Sequence, residues 1–284
     1  MALAHPAFPQ DLERHIFEIA ALCRPRSIST LVLVAWRVKE WVEPLLYRTV
    51  VVGDVAFCFW ESYPDGLKPD PWRALINRRT PAARLASVRN LQIDGTDLVG
   101  DEHLDNWPGT VALCPGLQNL WLSKVPFGSD VYALKNLLLR RLHCEDDGIF
   151  ASFSPTHRFF SQLTHLEISH IKEPPILGIW LDRLSLLPQL SHFSFTGTGL
   201  LHICKHLLQA CSLLSVLVHL HNWRPYPSAL WDYFQDTRFV NLKIDSGEEW
   251  MRGIHTGMDY WKRAEILIEQ RRSGEIEVSQ YWCD

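Results

Sequence analysis

Leu163-Thr164-His165-Leu166-Glu167-Ile168 places apolar residues at the first, fourth and sixth positions of a six-residue stretch. Leu166 and Ile168, two apart, fall on one side of an extended strand, and Leu163 sits in the turn leading into it. The same arrangement recurs at Val88-Leu91-Ile93, Leu117-Leu120-Leu122, Leu139-Leu142-Cys144, Leu190-Phe193-Phe195, Leu213-Val216-Val218 and Phe239-Leu242-Ile244. The central residues Leu91, Leu120, Leu142, Leu166, Phe193, Val216 and Leu242 are spaced by 22 to 29 residues. At the sixth stretch Leu214-Leu217 fits nearly as well, and a shift of one residue there exchanges inward and outward side chains. Between the strands lie stretches of helical periodicity, Val131 to Leu139, Ile179 to Leu187 and Leu200 to Cys211. Pro115, Gly116 and Pro188 mark turns just before strands.

The spacing is that of leucine-rich repeats, roughly 20–29 residues. Each unit has one face to bury and needs its neighbours to cover it. Thr256 to Arg272 reads as a terminal helix, with Tyr260, Ala264, Leu267 and Arg271 on one face, suited to closing the last open edge of such an array.

The first fifty residues have a different period. Leu12, Ile16, Ile19 and Ala20 follow helical spacing, with Pro9 at the first turn and Asp11 and Glu13 beside it, where negative charge suits the helix dipole. Pro25 ends this helix. Ser27 or Ser29 is placed to cap a second short helix through Val34. A third follows on Val38, Trp41, Val42, Leu45 and Leu46, with Pro44 predicting a kink or a restart. Thr49-Val50-Val51-Val52 is β-branched and reads as a strand.

Three short helices have little core of their own, and their apolar face needs a partner. Phe8-Pro9-x-Asp11-Leu12-x-x-x-Ile16-Phe17, Leu31-Val32-Leu33-Val34-Ala35-Trp36 and Pro44-Leu45-Leu46-Tyr47-Arg48 together resemble the F-box-like motif of fungal proteins, in which leucine-rich repeats follow the F-box. Phe8 and Asp11 stand where that family opens with Leu and Glu, and Val34-Ala35-Trp36 is a looser form of its second half. The resemblance implies docking on a Skp1-like adaptor, and through it on a cullin, by Pro9, Leu12, Ile16, Phe17, Val34 and Trp36. The alternative is that these side chains pack locally, the segment serving only as an N-terminal cap on a structural or protein-interaction array.

Composition narrows the remaining classes. Basic residues number 28 against 32 acidic, a net charge of −4, and they cluster only in pairs such as Arg78-Arg79 and Arg140-Arg141, so no phosphate-neutralising stripe points to nucleic acid. Seven cysteines without a C-x-x-C spacing, and no N-x-[ST] sequon, suit reduced thiols in the cytoplasm or nucleus. No apolar run opens the chain as a signal peptide, and Leu45 to Trp60, the longest membrane candidate, is broken by Arg48 and Asp54. Thirteen histidines invite a zinc reading, but His202, Cys204, His206, His219 and His221 lack a matching second pair. Nucleophile elbows and phosphate loops are missing, and the adjacent carboxylates Asp146-Asp147 and Glu248-Glu249 do not face one another across a substrate. No catalytic residue, metal ligand or cofactor is therefore expected.

The expectation is an α/β protein: a short N-terminal three-helix F-box-like segment at 1–50, a connecting segment at 51–87, an irregular leucine-rich-repeat solenoid at 88–250 and a C-terminal helical cap at 251–284. Its expected function is that of a non-catalytic substrate-recognition adaptor of a Skp1–cullin–F-box ubiquitin ligase. The outward strand residues Asn119, Trp121, Arg141, His143, His165 and Glu167 are the expected target-binding row, with Trp121 an exposed anchor unless a loop from 51–87 covers it.

Overall fold

The computed structural model describes residues 8–24, 27–52, 82–94, 107–123, 129–145, 148–169, 182–197, 200–221, 236–243 and 246–283. Most of the connecting segment expected at 51–87, the Asp146-Asp147 pair and the start of the helical stretch at 179–187 lie outside the described residues. The chain divides into two compact units, Met1–Gln92 with Leu113–Leu117, and Ile93–Ala112 with Gln118–Asp284.

The first unit opens with three helices, α1 (Gln10–Cys23), α2 (Ile28–Leu31) and α3 (Trp36–Leu46). Pro9 is the residue before α1, where its missing N–H is harmless, and Pro44 is accommodated inside α3. Ala21, Ile28, Val38 and Val42 are buried, with Phe17, Leu31, Val32, Ala35, Trp41 and Leu45 packed against them. The two-pronged ion pair from Arg37 to Glu13, at 2.7 and 3.1 Å, ties α3 to α1. Strand β1 (Thr49–Val52), the short helix α4 (Ala82–Leu85) and strand β2 (Asn90–Asp94) follow, and the amides of Arg89 and Asn90 both bond to the carbonyl of Arg48. The Arg89 guanidinium donates to the carbonyls of Ala86 and Gly116, filling the space a Cβ on Gly116 would need.

The second unit contains α5 (Trp107–Ala112), β3 (Asn119–Ser123), β4 (Arg141–Cys144), α6 (Gly148–Ser152), β5 (His165–Ile168), β6 (His192–Thr196), α7 (Cys204–Ala210), β7 (Val216–His221), β8 (Phe239–Lys243), α8 (Ser246–Thr256), α9 (Tyr260–Ser273) and β9 (Trp282–Cys283). Nine strands lie in one sheet in the order β1 to β9, and every ladder described from β3 to β9 is parallel. One face carries Leu142, Leu166, Phe193, Leu217 and Phe239 in register, all buried. The opposite face carries, in register, Trp121, His143, Glu167, Ser194, Val218 and Val240.

Three expectations are corrected. The chain is not a short three-helix segment followed by an irregular leucine-rich-repeat solenoid with a C-terminal helical cap. It is one α/β arrangement with a single sheet that begins at β1, right after α3, and ends at β9. The recurring apolar pattern reported strands at regular spacing, and spacing does not determine the layers that strands form. Second, β7 and β8 are shifted by one residue. Leu217 aligns with Phe193, so Leu217 and His219 face the Phe193 side, while Val216, Val218, Val240 and Leu242 turn to the opposite face. Third, the terminal helix does not close an edge. The edge of β8 is taken by β9, and α9 lies on the sheet face through Tyr260, Trp261, Ala264, Leu267 and Ile268 against Val216, Val218, Leu220, Val240 and Leu242.

The shifted register has a direct test in the turn before β7. Leu214 is 2% exposed and Leu213 is 58% exposed. Leu214→Ala should lower unfolding free energy by roughly 2–5 kcal/mol in urea titrations, whereas Leu213→Ala should change it by no more than about 0.5 kcal/mol.

Candidate functional site

Helix α1 carries two apolar stripes. Phe17, Ala20 and Ala21 turn toward the small core of the helical unit. Leu12, Ile16 and Ile19, spaced by four and three residues, form the second stripe and are each 47% exposed. Phe8, Leu22, Leu33, Val34 and Trp36 extend the exposed apolar area, Leu33 at 82% and Trp36 at 72%. Of the six side chains expected to dock a partner, Pro9, Leu12, Ile16, Val34 and Trp36 are therefore on the surface, and Phe17 belongs to the core.

Trp36 is exposed and also held in place. Its indole N–H donates to Glu40 Oε1 at 2.8 Å, and the Lys39 ammonium lies 5.1 Å above the ring. Fixing an exposed tryptophan in advance lowers the ordering cost of binding. A half-exposed Leu or Ile has roughly 1 kcal/mol left to gain on full burial. Leu33, in the turn before α3, and Ile19 were not among the expected contacts. Ile19 was legible in the i, i+4, i+7 pattern of α1; nothing local in the sequence marks Leu33.

The expected target row behaves differently, because α8 and α9 cover it. Trp121 is 4% exposed, stacked on His143 with 3.3 Å between ring centroids and 5.9 Å from Trp250 of α8. His143 and Glu167 are each 3% exposed. The Arg141 guanidinium meets Asp259 Oδ2 at 2.5 Å, and Asp259 also accepts from the backbone N–H of Lys262, capping α9. Gly253 of α8 touches the Asp259 side chain so closely that a Cβ would overlap it. The Tyr260 hydroxyl donates to Glu167 Oε2 at 2.8 Å and accepts from Ser194 at 2.9 Å. Burial and the charge of Glu167 hold its phenol well above the ordinary tyrosine range, so it stays a donor. His165 and His192 stack at 4.0 Å with Trp261 edge-on to both, and His192 Nε2 lies 3.1 Å from Glu265 Oε1. Asn119 sits at the start of β3, half-buried, in register with Arg141. The row is thus an internal interface, and the expectation of an open surface with Trp121 exposed is corrected. Among the described residues Trp250 of α8 lies against Trp121.

The chemistry of this row is held rather than poised. His143 Nε2 is 3.3 Å from Ser169 Oγ, and its Nδ1 faces Glu167 Oε1 at 3.1 Å, both side chains buried. Among the described residues no three His, Cys, Asp or Glu side chains converge as a metal site. On the other face, His219 Nε2 lies 3.0 Å from the carbonyl oxygen of Gly197 and its Nδ1 lies 2.9 Å from Asn241 Oδ1.

Burial pushes His165 down to about 2, helped by His192 and Arg141. Burial likewise takes His219 down to about 4, against its hydrogen bonds to Asn241 and Gly197. Both imidazoles are neutral in the fold and gain protons near pH ~6.5 when unfolded. The unfolded state then binds more protons as pH drops, so stability is intact above about pH 7 and declines below about 6.5. Each group contributes a slope of up to about 1.4 kcal/mol per pH unit. Urea midpoints measured from pH 7.5 to 4.5 should fall accordingly, and His219→Gln should flatten the decline.

No family model matches the chain, and no curated protein matches it either.

Proposed function

We propose that this protein is a non-catalytic adaptor of a Skp1–cullin–F-box ubiquitin ligase, docking on a Skp1-like partner through α1 and the α2–α3 turn. The observation that carries the reading is the outward stripe Leu12, Ile16 and Ile19, continued by Leu33, Val34 and Trp36, on a helical unit whose buried core is Ala21, Ile28, Val38 and Val42. Exposed contiguous apolar area of this kind marks a binding face, and a helix presenting residues at i, i+4 and i+7 is a standard way of filling a partner's groove. The resemblance of the same residues to the F-box-like motif supplies the partner. A segment acting only as an N-terminal cap would have this stripe covered by the chain itself, and Leu12 and Ile16 are half exposed.

In this reading no side chain of the chain does chemistry. The adaptor raises the effective concentration of a target's lysines beside a charged ubiquitin carrier. Rim charges such as Arg14 and Glu18, 2.8 Å apart in an exposed pair, set orientation more than affinity.

Recovery of a Skp1-like protein and a cullin on the tagged chain is the expected outcome of affinity purification. Leu12→Asp/Ile16→Asp should lose both, and Trp36→Ala should weaken recovery by at least about tenfold, the effect of a hot-spot side chain. Far-UV circular dichroism should show all variants folded, since the substituted side chains face solvent. Equal recovery by wild type and the double variant would refute the reading.

A further inference from the structure

We infer that Glu40, with Lys39, is a positioning residue: it sets the Trp36 indole in one orientation in the free protein and thereby decides which side of the ring a partner meets. The inference deepens the adaptor reading, and rests on it only for the identity of that partner, a Skp1-like protein.

Trp36 is the first residue of α3, and Ala35 before it is extended, with no side-chain cap. No turn of α3 precedes the indole, so the helix residues that reach it are those three and four positions on. Side chains on a helix lean toward its N-terminus, which aims Lys39 and Glu40 back at Trp36. Both make the contact. Glu40 Oε1 accepts from the indole N–H at 2.8 Å, and the Lys39 ammonium stands over the ring, 5.1 Å from its centroid. Trp36 is nevertheless 72% exposed.

This arrangement selects a contact side. The donor edge of the ring is turned to Glu40, itself exposed, and Lys39 stands over one face. A partner therefore meets the opposite face and the apolar edge. Leu12, Ile16, Ile19, Leu33 and Val34 have no polar atom by which to be held, so Trp36 is the member of the stripe that can be set in this way. An unheld tryptophan on a helix has about four orientations, two χ1 wells each with two χ2 settings. Holding one of them raises the docking-competent fraction by about fourfold.

The free protein supplies the first test. Heteronuclear Overhauser effects of the labelled indole N–H groups are measured on the full chain, the Trp36 signal being identified by its loss in Trp36→Phe. In wild type this indole should be as rigid as the α3 backbone. Glu40→Ala should release it, and adding Lys39→Ala should release it further. Glu40→Gln keeps an acceptor oxygen and should restore rigidity. The second test measures association and dissociation rates of a recombinant Skp1-like protein on the immobilised full chain. Glu40→Ala should slow association about fourfold, because fewer molecules are competent, with Glu40→Gln close to wild type. Loss of a direct contact would instead speed dissociation. An indole mobile in wild type, or equally rigid in Glu40→Ala, overturns the inference. So does an indole released with association unchanged, or an effect confined to dissociation. A wild-type chain that does not bind the Skp1-like protein refutes the adaptor reading instead, and the rigidity comparison still decides whether Glu40 holds the ring.

Discussion

A parallel sheet tolerates no wet face, since both of its sides are normally covered by other elements, and in the second unit everything else follows from how that cover is supplied. One side carries Leu142, Leu166, Phe193, Leu217 and Phe239, all buried. The other is closed by α8 and α9, the last helices in the sequence. That choice fixes the chemistry of the row they cover. Arg141, Glu167, His192 and Ser194 would cost several kcal/mol if desolvated without partners, so α9 has to bring Asp259, Tyr260 and Glu265 to them in matching order. The register of the whole sheet enters here: only when Val216, Val218, Val240 and Leu242 share the face with that polar row does α9 gain an apolar seat for its rear half.

The helical unit solves the opposite problem. Its core is four side chains and their half-buried neighbours, too small to bury two stripes of one helix. Phe17 packs on that core, and the Glu13–Arg37 ion pair ties α1 to α3. The richer stripe, Leu12-Ile16-Ile19, is left out.

Strand positions were legible in the sequence because apolar residues recur around a fixed turn chemistry, as at Leu163-Leu166-Ile168. Register was legible only where one face was polar, as in His165-Leu166-Glu167-Ile168. Val216-Leu217-Val218-His219-Leu220-His221 is apolar on both faces, so alternation cannot say which side meets α9. The cover itself was illegible, because the pairs that make it are separated by 66 to 118 residues in the chain and each is unremarkable alone. Trp121 reads as an exposed anchor until Trp250 is brought beside it. In α1 the helix and its apolar period were plain, while which of its two stripes the small core would select was not.

The two units invert the ordinary partition in opposite senses. One exposes large apolar side chains, and the other buries a row of charged and polar ones. Each inversion carries a cost that isolated secondary structure cannot recover. In the second unit the compensation is visible, since Arg141, Glu167, His192 and Ser194 each meet a polar group on α9. In the first, the described residues supply no cover for Leu33 or Trp36, and the indole of Trp36 is nevertheless fixed by Glu40 and Lys39. Holding a large side chain rigidly in solvent gives up rotamer entropy with no burial in return. Burial of that stripe against a partner would return this cost, whereas the polar row already meets its partners on α9.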